Sequence, residues 1–236
     1  MGKEIVYWSY CNPYTQIRVD DPVNVFTNHF KKQELSDLLE NYGQNYSRCP
    51  SVRDSLRNTF GLKSIYDYSY DVVNDSSDDF DQEFYDSVVM YRDAKSKLAS
   101  FVFPYIFFAE SDNLEMEMLP AFMENNAFTK SANLVVGVFD VGQYFRGLDI
   151  AFHAKENIVN VEEDDIFAYV RFNTKKKIEF KRFEWTEELS SINSEPVVGI
   201  KQHRSKTFKP LQWYYDKQHR MKTKQKALKE IKKNLI

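Results

Sequence analysis

The 236-residue chain has few of the residues from which sequence-marked catalytic sites are built. It contains two cysteines, Cys11 and Cys49, and four histidines that are scattered along the chain. The H-x-D, H-E-x-x-H and C-x-x-C spacings of metal and redox sites are missing, as are a Walker phosphate loop, a G-x-S-x-G elbow and a G-x-G-x-x-G turn. The sequence therefore assigns no metal, no cofactor and no catalytic residue, while a Cys–His pair assembled by folding stays open.

Long hydrophobic runs are also missing. The longest covers residues 101–109, about half the length that a membrane-spanning helix needs, and it contains Pro104. The first residues lack the apolar stretch and small-residue cleavage site of a secretory signal. We therefore expect a protein that is not secreted and has no membrane partner. Two thiols in a cytosolic protein are more often unpaired, although a bridge between Cys11 and Cys49 stays open.

The chain has no internal repeat and no proline- or glycine-rich stretch that would indicate a linker. Aromatic residues are abundant instead, with 19 Phe and 15 Tyr, and each buried ring removes roughly 150–250 Å² from water. Tyr, Phe, Val and Ile also favour strands. The composition predicts one α+β domain over residues 1–209, predominantly antiparallel, as a sandwich or jelly-roll-like barrel with a few short helices.

Charge is divided unevenly along the chain. Residues 201–236 carry 12 basic and 2 acidic side chains, a net charge of +10, which leaves −13 for the first 200 residues. Residues 210–236 have apolar side chains at helical spacing and no Gly or Pro after the first position. This pattern predicts a basic C-terminal helix that packs on the acidic body or on a partner.

Two regions have the alternation expected of strands. In residues 64–73, Tyr68, Tyr70 and Val72 share one face while Ser69 and Asp71 share the other. Residues 133–185 contain short apolar segments separated by connectors too brief for parallel crossovers. That second block therefore predicts an antiparallel meander or one half of a sandwich or barrel.

Two short helices are also predicted. Residues 31–42 place three leucines on one face, and Gly43 follows as a stop. Residues 49–61 have Ser51 as a candidate cap, with Asp54 three residues later and Gly61 as the end.

The segment from Gly137 to Phe152 combines three glycines with charged residues in an apolar run. Its glycines suggest a bulge or turn between two strands. Arg146, flanked by Tyr144 and Phe145, needs a carboxylate partner, and this predicts a structural ion pair. A ligand pocket is the alternative. The residues of either arrangement are Asp140, Arg146, Asp149 and His153.

Three stretches of the chain resemble a known group of sequences. They are YSRCPSVRDSLRNTFGLKS (46–64), GVFDVGQYFRGLDIAF (137–152) and DDIFAYVRFNT (164–174). They are similar to a family of hypothetical proteins in tailed bacteriophages, especially marine ones, over roughly residues 5–185. The resemblance implies a viral protein located in the host cytoplasm or the virion, and it implies no catalytic residue because no activity is attached to that family.

The resulting functional hypothesis is a non-enzymatic phage protein that acts through contacts with other protein subunits, as a virion or assembly component or at a stage of infection. One alternative is an enzyme for a small molecule or nucleotide, with its pocket between Gly137 and His153. Another is a nucleic-acid-associated protein that uses its basic tail. The tail residues assigned to partner contact are Trp213, Tyr214, Tyr215, Arg220 and Lys224.

Overall fold

The computed structural model describes residues 2–10, 22–24, 49–64, 67–76, 89–93, 95–193 and 222–236. The predicted helix at 31–42, Cys11 and the tail residues Trp213, Tyr214, Tyr215 and Arg220 lie outside these ranges. The strands are β1 (Lys3–Tyr10), β2 (Val23–Asn24), β3 (Thr59–Lys63), β4 (Tyr68–Asp71), β5 (Val89–Asp93), β6 (Leu98–Ala109), β7 (Glu115–Pro120), β8 (Ala132–Leu134), β9 (Gly137–Asp140), β10 (Gly147–Ala154), β11 (Ile158–Val161), β12 (Ile166–Phe172) and β13 (Lys177–Arg182). The helices are α1 (Pro50–Ser55), α2 (Ala127–Ser131) and α3 (Thr223–Lys233), and residues 187–193 are also helical.

Two larger sheets and one strand pair hold these strands. Sheet I has the order β13-β1-β6-β10-β8, with β5 also on β6, and sheet II has the order β2-β3-β12-β7-β9. Strands β11 and β4 form the separate pair. The pairings are antiparallel, except that β1 and β13 run parallel. The predicted α+β class is thus confirmed as a sandwich-like, mostly antiparallel fold with a C-terminal helix, and the described strands do not close into a barrel.

The predicted meander over residues 133–185 is wrong, although its strands exist. Strand β9 belongs to sheet II, β10 to sheet I, β11 to the strand pair, β12 to sheet II and β13 to sheet I. Consecutive strands therefore change sheets instead of pairing with each other. Packed sheets lie about 10 Å apart, and a connector of three or four residues spans that distance. Short connectors therefore exclude parallel pairing of consecutive strands, but they do not require consecutive strands to pair with each other.

The alternating pattern at residues 64–73 is confirmed at its centre. Tyr70 and Val72 are fully buried, and Tyr68 packs against the core, while Ser69 and Asp71 are only half-buried. The strand β4 is shorter than predicted because a turn begins after Asp71.

Helix α1 is shorter than the predicted helix at 49–61. Pro50 occupies its first turn, the extended Cys49 precedes it, and no side chain caps its start, so Ser51 is not the cap. The helix ends at Ser55, and Gly61 lies inside strand β3 rather than at a helix end. The reason is tertiary, because residues 59–63 pair with β12.

Helix α3 packs on the outer side of sheet I. Its buried Ala227 and Ile231 contact the same apolar cluster as Tyr7 and Ile106. The complete set of buried residues in that cluster is Tyr7, Ile106, Phe108, Phe145, Phe183, Leu189, Ile192, Ala227 and Ile231. The helix is therefore fixed by an apolar stripe, with its charged side chains at the margins.

Two lysines of α3 contact acidic residues at the end of β6. Lys224 Nζ lies 2.6 Å from Asp112 Oδ1, and Lys232 Nζ lies 2.8 Å from Glu110 Oε1. Of the residues assigned to partner contact, Lys224 thus contacts the body of its own chain. None of the helices that the structure describes is long and apolar enough to span a membrane.

Gly142 is required by a close approach of two turns. Gly142 does not have a positive φ. Glycine is therefore not required at this position for its backbone conformational freedom, contrary to what the sequence suggested. A Cβ atom at this position would overlap the carbonyl oxygen of Ser111 and lie 3.0 Å from the backbone nitrogen of Leu114. Both atoms belong to backbone, which cannot move aside as a side chain can.

We therefore expect Gly142→Ala to lower the free energy of unfolding by about 1–3 kcal/mol, the usual cost of overpacking. Gly137→Ala is the matched control, because its Cβ would meet only the ring of Phe139, at 3.0 Å. Urea unfolding of both variants measures the difference. Equal stability of the two variants would contradict the close packing of the turns.

The packing of α3 gives a second expectation. Ile231 is fully buried, so Ile231→Ala should cost about 2–5 kcal/mol. Lys229→Ala, an exposed position on the same helix, should stay within about 0.5 kcal/mol of the parent. Thermal and urea unfolding check both values, and an Ile231 variant as stable as the parent would show that the helix does not pack there in solution.

Candidate interaction surface

Asp140 closes the turn between β9 and β10. Its Oδ1 accepts the N–H of Gly142 at 3.0 Å, and its carbonyl oxygen accepts the N–H groups of Gln143 and Tyr144. Burial raises the pKa of the Asp140 carboxyl, and the N–H groups of Gly142 and Gln143, followed by the charge of Lys224, partly offset that effect. The carboxylate therefore acts as a turn acceptor, which is the local structural role that aspartate often has.

Arg146 pairs with the second of its two expected partners. Its Nη2 donates to Asp149 Oδ2 at 3.3 Å, and its Nε donates to the Gly147 carbonyl, also at 3.3 Å. The two charged side chains keep 30% and 35% of their surface exposed. Phe145 instead enters the apolar cluster, fully buried and 5.1 Å from the ring of Phe108. The pair is thus partly hydrated.

His153 lies at the far end of β10, away from Arg146. It lies six positions after Gly147, so the two Cα atoms are about 20 Å apart along the strand. The imidazole is exposed, and its Nδ1 lies 3.3 Å from the Ser96 carbonyl oxygen. The structure therefore brings Arg146 and Asp149 together but does not bring His153 to them.

A cavity lies next to this segment rather than inside it. Its volume is about 160 Å³, enough for one benzene-sized group and smaller than the roughly 300–1,000 Å³ of typical small-molecule sites. No lining residue falls between Gly137 and His153. The lining residues are Pro120, Ala121, Phe122, Glu124, Phe128, Thr129, Ala132, Asn133, Leu134 and Phe167.

Four exposed apolar side chains belong to the turn at 122–123, where Phe122 lines this cavity, and to residues 136–138, which lead into β9. We call them the edge patch, and they are Phe122, Met123, Val136 and Val138. Their exposed fractions are 54%, 36%, 62% and 65%. Most aromatic residues that the structure describes are buried or half-buried, so this group of exposed apolar side chains is a candidate contact surface.

Register explains why these side chains lie together. Val138 is opposite Glu117 of β7, and the ladder ends where Gly137 meets Met118. Val138 thus lies on the outer face of sheet II with Glu117, and Val136 precedes it at the crossing from sheet I. Phe122 extends this face, since its ring packs edge-on against Tyr169 at 5.2 Å.

Carboxylates border the edge patch, and we call Glu115, Glu124 and Asp140 its acidic rim. Glu115 lies opposite Asp140 across the β7–β9 ladder and raises the pKa of that carboxyl, although burial is the larger cause. Glu124 accepts the Tyr169 hydroxyl at 2.7 Å, and burial followed by this hydrogen bond raises the pKa of Tyr169. The border of the edge patch is therefore acidic at these three positions, while Glu117, opposite Val138, is paired with Arg171.

Asp165 adds a further carboxylate near the rim. Burial and then the neighbouring Glu162 raise its pKa, with a smaller effect from Glu124. Across the part of the chain that the structure describes, no group of three or more His, Cys, Asp or Glu side chains could hold a metal ion.

Sequence reasoning missed the edge patch. A signal was present, because Val135, Val136 and Val138 provide apolar residues on both faces of a short segment. A strand with one buried face needs apolar residues on alternate positions only. The additional valines therefore indicated a second apolar contact.

No protein-family model matches the chain, and no curated protein sequence matches it either.

The partial exposure of the Arg146–Asp149 pair changes the expected cost of removing it. A buried pair costs about 3–5 kcal/mol when one partner is lost, whereas exposed pairs contribute about 0.2–1 kcal/mol. We expect Arg146→Ala to lower the free energy of unfolding by at most about 1 kcal/mol.

Phe145→Ala, at the next position, should cost about 3–5 kcal/mol because its ring is fully buried. Urea unfolding of the two neighbouring variants measures the contrast. A loss above about 3 kcal/mol for Arg146→Ala would mean that the pair is shielded from water.

Proposed function

We propose that the protein is non-enzymatic and acts through contacts with other protein subunits, with the edge patch as its contact surface. The observation that carries this proposal is the exposure of more than half of Phe122, Val136 and Val138 on one edge of the sandwich. Burying such side chains in an interface would contribute roughly 25 cal/mol per Å² of apolar surface. The isolated protein does not gain this free energy, and association with a partner that covers the side chains would provide it.

We further propose that these contacts serve a tailed bacteriophage, in the virion, during assembly or at a stage of infection. Support for the viral context comes from the similarity of residues 46–64, 137–152 and 164–174 to the phage family. Support for a contact role comes from the surface itself.

The nucleic-acid alternative is less well supported by the described part of the tail. Nucleic-acid binding needs basic groups that are free to meet phosphates. Lys224 and Lys232 already contact Asp112 and Glu110 of the same chain. Their arrangement favours attachment of α3 to the body.

The size of the cavity bears on the enzyme alternative. A volume of about 160 Å³ fits one apolar side chain better than a nucleotide. The same cavity is suited to receive an anchoring side chain of a protein partner, as interface pockets commonly do.

A double variant, Phe122→Ser with Val136→Thr, tests the contact surface. Val73→Thr is the matched control, because Val73 is also about half exposed but lies in a turn that follows β4. In cells infected with the virus that carries the gene, we expect the protein to cross-link to another viral or host subunit and to co-purify with it.

The control should form this complex at the parental level, and the double variant should lose at least about nine-tenths of it, which corresponds to about 1.4 kcal/mol. Thermal unfolding confirms that both variants are folded. A complex that survives the double substitution would refute the edge patch as the contact surface, and a protein that stays monomeric throughout infection would refute the contact role.

A further inference from the structure

We propose that β9 accepts an extended, basic segment of a partner protein as an added strand of sheet II. This inference rests on the proposed contact role of the edge patch, and it specifies how the partner binds. The added segment would place one apolar side chain at the mouth of the neighbouring cavity.

Among the residues that the structure describes, the backbone of β9 has one open edge. No described strand follows β9 in sheet II, where β9 comes after β7. The Val141 N–H donates to the Leu114 carbonyl at 2.9 Å, and bonded and non-bonded pairs alternate along an antiparallel ladder. Residues 137 and 139 therefore bond to β7, so the N–H and C=O of Val138 point away from β7 toward the open edge.

An edge strand of sheet I, β13, is protected, and β9 is not protected in the same way. Strand β13 carries Lys177, Lys181 and Arg182, and charged side chains discourage strand addition. Its end is also covered, because the Ile236 N–H donates to the Arg182 carbonyl at 3.0 Å. Strand β9 has the sequence GVFD, without lysine, arginine or proline.

Charge selects the kind of strand. The acidic rim borders the edge patch, and a second copy of this chain would bring the same carboxylates against each other. Lysine or arginine side chains on an incoming segment would instead lie beside Glu115 and Asp140. We therefore assign the site to a basic partner segment and not to self-association.

The cavity determines the length of that segment. Leu134 of β8 lines the cavity, and the chain crosses to sheet II over the four positions from Leu134 to Val138, which span at most about 13 Å. A strand of about six or seven residues therefore spans β9 and the cavity mouth. Backbone hydrogen bonds to Val138 would provide affinity, and the anchored side chain would provide specificity, as in other cases of strand addition.

Val138→Pro tests the backbone contact directly. Proline removes the outward N–H and obstructs the open edge, but it removes no hydrogen bond to β7. Val138→Thr is the matched control, because it keeps the N–H and the β-branched shape. The probe is a random twelve-residue peptide library selected on the full parental chain, followed by affinity measurements on individual selected peptides.

We expect selected peptides that combine basic residues with alternating apolar ones. Their affinity should fall at least about tenfold for Val138→Pro and change less than about threefold for Val138→Thr. Amide exchange at Val138 should slow in the complex. If Val138→Pro fails to fold, N-methylation of alternate residues in a selected peptide tests the same hydrogen bonds from the other side, and it should also reduce affinity at least about tenfold.

Four results would overturn the inference. In the first, the peptides bind Val138→Pro as tightly as the parent, and N-methylation of the peptides does not weaken binding, but the Phe122→Ser/Val136→Thr variant binds them more weakly. This result leaves the proposed function standing. The second is peptides that are indifferent to every variant, which would refute the contact surface as well. The third is the absence of any enriched peptide, and the fourth is a dimer of the parental chain that Val138→Pro dissociates, which would assign the edge to a second copy.

Discussion

Burial of aromatic rings between two sheets is the interaction on which the rest of the structure depends. Phe107 of sheet I lies 5.8 Å from Phe172 of sheet II, with the rings edge-to-face. Phe128 of α2 links the sheets further, since it packs at 5.7 Å from Phe152 and 6.1 Å from Phe167. Such ring pairs add about 0.5–1.5 kcal/mol each beyond the area they bury. Each strand that contributes a ring has one obligatory inward face.

This constraint explains why consecutive strands change sheets. A strand can direct its ring into the core from either of the two sheets. A short connector reaches the opposite sheet as easily as it reaches the neighbouring strand position in the same sheet. Residues 134–137 show the consequence. The N–H of Val135 donates to Ala151 of sheet I at 2.8 Å, and Gly137 already pairs with Met118 of sheet II. Val136 lies at the crossing between the sheets, where the chain offers no inward face for its side chain.

The limits of sequence reasoning follow from the same geometry. Alternation at Tyr70 and Val72 predicted a half-buried strand because one face of that strand meets the core, a property that is local to the strand. Pairing is not local, so the antiparallel meander was a reasonable but wrong prediction for residues 133–185. The role of Gly142 was also hidden, because close contact with the 111–114 turn depends on chain segments that are distant in sequence.

The candidate site was only partly visible for related reasons. Arg146 needed a carboxylate, and its spacing left Asp140 and Asp149 open. The strand register decides in favour of Asp149, while the turn geometry gives Asp140 the N–H of Gly142. The edge patch depends on which strand is last in sheet II, and the sequence of β9 alone does not determine that position.

Charge segregation connects the tail to the edge patch. Lys224 and Lys232 of α3 form ion pairs with Asp112 and Glu110, which closely follow β6. The carboxylates around β9 do not share in those contacts, apart from the weaker influence of Lys224 on Asp140. The body thus neutralises one acidic region with its own helix and leaves the other acidic region beside exposed valines. An apolar surface bordered by carboxylates discriminates among partners by repelling acidic ones. An exposed strand edge can then bind the remaining partners through backbone hydrogen bonds, which a segment of almost any sequence can form.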